Sequence, residues 1–220
     1  MGDDNGSSLS PLEVGIGLRC NDFVIMMSDK KVFEGNSLSN SVDIDKISSL
    51  DNGTLLMCLG GSGPVFKRSV VTGMTLHRVQ TNSSYPADQT GRILSQTLRD
   101  IRRHTPCLNV NLMLGTAEPN DGVTHPGRVT LYKGDSFGFM LEVPHAYIGI
   151  NGLITATIVD KYYRPDLTID AAYSLLKQCV HHMKRRTFLA YPTFTVKVLD
   201  ISGQVHHLPD IKWTDFDEIY

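Results

Sequence analysis

The stretch Val14-Gly-Ile-Gly-Leu-Arg-Cys-Asn-Asp-Phe-Val-Ile-Met-Met-Ser-Asp-Lys-Lys-Val32 reads as a β-hairpin whose second strand ends in a carboxylate, Asp29. Val14–Cys20 and Phe23–Ser28 are apolar segments rich in strand formers, and Asn21-Asp22 between them is turn chemistry. Two further strings follow in order, Asp45-Lys-Ile47 and Gly60-Gly-Ser-Gly-Pro64. The apolar run Thr54–Leu59 sits between them, behind Asp51-Asn-Gly53, and predicts a buried strand after a tight turn.

From Pro64 the period changes. Val65, Phe66, Val70, Met74, Leu76 and Val79 recur at loose helical spacing as far as about Gln80. Pro86-Ala-Asp88 opens a second helix with Ile93, Leu94, Leu98 and Ile101 as its buried stripe, and Thr105-Pro106 stops it. Strands return at residues 108–115, where Val110, Leu112 and Leu114 share one face, and then at 128–133, 137–142 and 146–149. Residues 117–127 read as a loop. A third helix is predicted from about Leu153 to Tyr162, and a fourth after the N-cap Thr168. The buried positions of that fourth helix, Ala172, Leu175, Leu176, Cys179, Val180 and Met183, have clean i, i+3, i+4 spacing. Residues 194–199 and 204–208 form a hairpin around Asp200-Ile-Ser-Gly203. Residues 1–12 read as a flexible arm, 13–208 as one domain, and 209–220, with the single tryptophan Trp213, as a polar tail. Strands, two helices, strands, two helices and strands, with no internal linker, predict an α+β fold: two stacked antiparallel sheets covered by helix pairs.

The 220 residues carry a formal net charge of −2, so no global field advertises nucleic acid or an anionic membrane. The basic clusters at Arg99–Arg103 and Lys184–Arg186 fall at predicted helix C-termini, where cations complement the helix dipole. Cys20, Cys58, Cys107 and Cys179 are widely spaced, without a Cys-x-x-Cys pair, and read as buried thiols of a reducing compartment. No apolar leader or membrane-length run is present, which predicts a soluble intracellular protein. His181-His182 and His206-His207 are adjacent pairs that point in different directions, so no metal site and no cofactor are expected. Gly60-Gly-Ser-Gly63 lacks the Lys-Ser/Thr ending of a phosphate loop and reads as a turn.

The N-terminal block and the element order resemble the proteasome beta family of N-terminal-nucleophile hydrolases, a four-layer α-β-β-α sandwich. Arg103–Gly115, Ile158–Pro165 and Tyr191–Asp200 resemble more specifically its type-2 branch, which fills the beta-4 position of the 20S core particle. Active members use the hydroxyl of an N-terminal Thr, with the freed amine, of pKa ~8, as the base. By the resemblance, Asp29 and Lys46 hold the family's acidic and lysine positions, and Gly60 holds the oxyanion turn. Glu13 stands where the Thr would be, and Leu12 where a Gly precedes the self-cleaved bond. Gly152, Thr187 and Ala190 stand where active members have Ser, Asp and Ser. A carboxylate has no hydroxyl for an N→O acyl shift, so Asp29 and Lys46 read as a remnant ion pair or as solvated charges.

The resemblance implies a non-catalytic beta subunit in stacked seven-membered rings, with other beta and alpha subunits as partners. It further implies a place beside the chymotrypsin-like subunit in ubiquitin-dependent degradation, in cytoplasm and nucleus. Asn21, Asp22, Phe23, Tyr162, Trp213 and Tyr220 are the candidate interface residues. The alternative is an active threonine-type peptidase that matures at an unusual Ser, Thr or Cys.

Overall fold

The computed structural model describes residues 12–31, 33–34, 37–38, 44–50, 53–105, 108–119 and 127–216. Most of the predicted arm, Cys107, the centre of the 117–127 loop and Tyr220 lie outside them.

Strands β1 (Gly15–Arg19) and β2 (Phe23–Asp29) form the expected hairpin, with Gly15 opposite Ser28. Short strands β3 (Phe33–Glu34) and β4 (Ser37–Leu38) pair with each other. β5 (Ile47–Leu50) and β6 (Thr54–Leu59) precede helices α1 (Gly63–Thr81) and α2 (Ala87–His104). β7 (Asn111–Glu118), β8 (Arg128–Gly134), β9 (Met140–Glu142) and β10 (His145–Ile148) follow, then α3 (Ile150–Ile154), α4 (Ala156–Tyr162) and α5 (Ile169–Arg186). β11 (Thr193–Asp200) and β12 (Val205–Lys212) close the chain ahead of a 3-10 turn at Trp213–Phe216.

One sheet has the order β10-β1-β2-β11-β12 and the other β5-β6-β7-β8-β9. Strand alternation sorts the apolar residues into three layers of core. Ile16, Ile25, Phe194 and Val196 face outward from the first sheet onto α5, against Leu176, Cys179 and Met183. Val24, Met26, Leu55, Met57, Met113 and Leu131 fill the space between the sheets. Leu56, Cys58, Leu112 and Leu114 meet Phe66 and Val70 of α1 and Leu94 and Leu98 of α2. The result is the four-layer α-β-β-α sandwich. A Cβ on Gly15 would lie 2.7 Å from Leu59 Cδ1 and from Met57 Sδ, so a side chain there would require the ends of both of those side chains to shift.

Three elements depart from expectation. The helix predicted over 153–162 begins at Ile150 and breaks at Thr155, whose hydroxyl turns back onto the Gly152 carbonyl at 2.6 Å. This is the side-chain-to-backbone bond that competes with helix continuation. β7 runs from Asn111 to Glu118, shifted from the expected 108–115 and into the start of the segment that reads as a loop. The supposed tail from residue 209 is largely not a tail. β12 continues to Lys212, Ile211 is buried, and Trp213 stacks 6.3 Å from Phe194 and edge-on 5.9 Å from Tyr191. An aromatic of that size contributes more stability covered than extended into water.

The β11–β12 turn rests on one side chain. Asp200 accepts hydrogen bonds from the Ser202 and Gln204 N–H groups, both at 2.9 Å, and from Ser202 Oγ, and pairs with His206 at 2.7 Å. Partial burial opposes ionisation, but these donors outweigh it and hold the carboxyl down at about 2. A carboxylate whose folded value is depressed stabilises above its unfolded value of ~3.9, and that contribution is lost as pH falls toward the folded one. The stability gap between wild type and Asp200→Asn, read from urea unfolding, is therefore expected to be widest near neutrality and to close as pH approaches about 2. An unchanged gap across that range would disprove the assignment.

Candidate functional site

One end of the two-sheet sandwich gathers residues from four separate parts of the chain. The antiparallel register of β1 and β2 sets Val14 against Asp29, and the two exchange bonds. Val14 N–H donates to Asp29 Oδ1 at 2.7 Å, and Asp29 N–H to the Val14 carbonyl at 3.1 Å. Asp29 Oδ2 takes the Lys46 ammonium at 2.8 Å and the Lys31 N–H at 3.0 Å. Lys46 enters from the segment ahead of β5. That segment is braced by the buried Lys197 of β11, whose ammonium binds Asp45 Oδ2 at 2.6 Å and the Ile47 carbonyl at 2.5 Å.

Glu13 completes the cluster. Its Oε1 lies 3.0 Å from Lys46 Nζ, and its Oε2 accepts a short hydrogen bond from the Gly60 N–H. Gly60 directs that N–H through a φ of +101° in the turn between β6 and α1, and a Cβ there would come within 2.7 Å of the Asn109 carbonyl oxygen. Only glycine meets both demands.

Lys46 and Asp29 are thus a buried ion pair, with relative exposures of 4% and 0%, and the lysine is shared with a second carboxylate. Burial pushes the Asp29 carboxyl up from its ordinary value. Lys46 and the Val14 N–H pull it down, and the Glu13 charge adds to the rise.

Two further members were not legible as site residues. The buried Tyr191 donates its hydroxyl to the Leu12 carbonyl at 2.6 Å and accepts a hydrogen bond from Asn151 Nδ2. Burial pushes the phenol well above its ordinary value, and the Asp29 and Glu13 carboxylates add to the shift, so it acts as a neutral donor. The only sequence signal was a tyrosine just ahead of an apolar strand, which reads equally as core. Leu12, Glu13 and Val14 are consequently held by Tyr191, by Gly60 with Lys46, and by Asp29.

Gly152 is buried against β1, where a Cβ would meet the Gly15 carbonyl at 3.3 Å. Thr187 caps the end of α5, its hydroxyl accepting from the Leu189 N–H at 3.2 Å. Ala190 is exposed beside Tyr191. None of these three supplies a side-chain hydrogen bond to the Glu13 cluster.

Of the interface candidates, Asn21 and Asp22 are exposed at the first turn and Tyr162 is half exposed at the end of α4. Phe23 is a correction, since it is 5% exposed in the core beneath α5 and leaves little surface for a neighbour. Trp213 packs on Tyr191 and Phe194 with part of its surface left open. Among the described residues no group of three His, Cys, Asp or Glu side chains is placed to hold a metal ion, and no helix is long and apolar enough to cross a membrane.

The site as built can hold a carboxylate and fix the chain around it. Glu13 offers no hydroxyl, and its nitrogen is tied up in the peptide bond to Leu12. Burial pushes the Cys20, Cys58 and Cys179 thiols up to about 12, so none is a thiolate near neutrality.

Comparison with known proteins adds an independent line. Residues 14–199 match the family model described as proteasome subunit. The chain is 27% identical over 195 residues to proteasome subunit beta type-4 of Saccharomyces cerevisiae, covering 87% of this chain and 95% of the relative. It is 26% identical over 200 residues to proteasome subunit beta type-2 of Trypanosoma brucei brucei, covering 87% and 95%. It is 24% identical over 194 residues to proteasome subunit beta type-2 of Oryza sativa subsp. japonica, covering 87% and 88%.

Proposed function

This chain belongs to the proteasome subunit family, among its beta subunits, and from that premise we propose that it is a non-catalytic subunit of the 20S core particle, kept for its shape. The observation that carries the reading is the Glu13 carboxylate seated on the Gly60 N–H and the Lys46 ammonium. By the family resemblance, those two groups would serve a hydroxyl nucleophile and its oxyanion, and here the chain itself occupies them. The Tyr191 hydroxyl at the site is committed to the Leu12 carbonyl and to Asn151. Ser28 Oγ and Thr195 Oγ1 are buried near this end of the sheet with no hydrogen-bond partner, hence no base.

The subunit closes a beta ring, stacks against alpha subunits and neighbours the chymotrypsin-like subunit in ubiquitin-dependent degradation in cytoplasm and nucleus. Exposed apolar residues on both outer helical layers support two stacking faces: Val65, Leu76 and Val79 on α1, and Leu153, Tyr162 and Phe188 on the α3–α5 side.

Intact-mass and N-terminal analysis of this chain within the purified particle tests the catalytic half of the reading. The expected result is no new terminus at a Ser, Thr or Cys, and no labelling by electrophiles directed at N-terminal nucleophiles. A mature terminus at one of those residues, with peptide hydrolysis lost on its substitution, would sink it. Cross-linking of the assembled particle tests the ring position, and the absence of any cross-link to the chymotrypsin-like subunit would remove it from that place.

A further inference from the structure

The Glu13 carboxylate is held on both oxygens by groups that Glu13 itself does not place. The Gly60 N–H is aimed by a turn locked against Asn109: the Ser62 N–H donates to the Asn109 carbonyl at 3.0 Å, and the Asn109 N–H to Ser62 Oγ at 3.3 Å. The Lys46 ammonium is fixed by Asp29 at 2.8 Å, on a segment braced by Lys197. One N–H and one ammonium, drawn from different elements and closed almost completely to water, match the two oxygens of a carboxylate. Donors prepositioned in this way keep their geometry whether or not the acid that binds them is part of the chain, because their supports lie elsewhere.

We propose that this end of the sandwich is a carboxylate-binding site that the chain fills in cis with Glu13, and that it accepts a free small carboxylate when that side chain is removed. The proposal rests on the reading above only in that Glu13 stays joined to Leu12 in the native chain. The mass analysis tests that point separately from carboxylate binding.

Propionate is the probe, because it is the side chain that Glu13→Gly removes, and propionamide is its neutral counterpart. Thermal unfolding of the full-length chain is followed in sodium propionate and in sodium chloride of equal ionic strength, with propionamide added to the latter as the second control. Glu13→Gly and Glu13→Ala are expected to melt below wild type in chloride and to recover several degrees, saturably, in propionate. Propionamide is expected to restore little, and wild type and Glu13→Gln, whose cradles are filled, to respond to propionate no more than to chloride. An equal response to propionate and chloride in the two truncated variants, or an equal gain in wild type, overturns the proposal. If the truncated variants are recovered folded only when propionate is present, the proposal is upheld; if they are recovered in neither salt, it is overturned.

Discussion

Lys46→Met is expected to cost about 3–5 kcal/mol of stability, the range found when one partner is taken from a buried ion pair. The methionine fills similar space, so the loss is chiefly electrostatic. Asp29, fully buried, and Glu13, 8% exposed, would face each other without the ammonium now bonded to both. Asp29 would keep its two N–H donors and Glu13 only the Gly60 N–H. The loss should depend on pH with a definite sign. Burial already pushes the Asp29 carboxyl up, and loss of the Lys46 charge that pulls it down raises it further above its unfolded value of ~3.9, so Asp29 binds a proton more readily folded than unfolded. The variant should therefore be closest to wild type below about pH 4 and fall further behind as pH rises through the raised Asp29 value. Urea unfolding at several pH values measures this. A second comparison, Lys46→Met with Asp29→Asn and Glu13→Gln, should recover most of the loss by removing the uncompensated charges. A deficit below about 1 kcal/mol for Lys46→Met would mean that the lysine behaves as a solvated surface charge.

Gly60→Ala is expected to cost about 3 kcal/mol, for a different reason. At φ +101° an L residue is strained by about 1–3 kcal/mol, and the new methyl would stand 2.7 Å from the Asn109 carbonyl oxygen, a backbone atom that cannot swing aside. Relief requires the turn between β6 and α1 to move, which turns the Gly60 N–H away from Glu13 and weakens the cradle as well. The neighbouring Gly61→Ala is the internal control. Its Cβ meets nothing within 4 Å, so its effect should stay within about 0.5 kcal/mol. Denaturant midpoints of the two variants decide the matter, and equal midpoints would refute the conformational argument.

The long, strongly patterned elements were legible from local chemistry. The stripe on α5, with Thr168 accepting a hydrogen bond from the Ala171 N–H, reports its own helix because period and cap lie within one segment. So does the alternation of Val110, Leu112 and Leu114 ahead of and within β7. The missed features share a cause. The break at Thr155, the extension of β12 to Lys212 and the packing of Trp213 on Phe194 depend on partners remote in sequence or on a side chain competing with its own backbone. In the site, Asp29, Lys46 and Gly60 were visible through family resemblance and order along the chain. Tyr191 and Asn151 were not, since a lone Tyr and a lone Asn carry no spacing that marks them as holding Leu12 in place.

What the sequence by itself determined is the class of the fold and the absence of a hydroxyl at position 13. Both are properties of residue type and period, which need no coordinates. What only the tertiary structure decided is what stands in place of the hydroxyl. Glu13 and Gly60 are separated by the three strand pairs β1–β2, β3–β4 and β5–β6, and Leu12 and Tyr191 by nearly the whole chain, yet each pair is within hydrogen-bonding distance. Closure of two sheets onto a shared core brings those distant backbone and side-chain groups together, and no local pattern in the chain encodes that meeting.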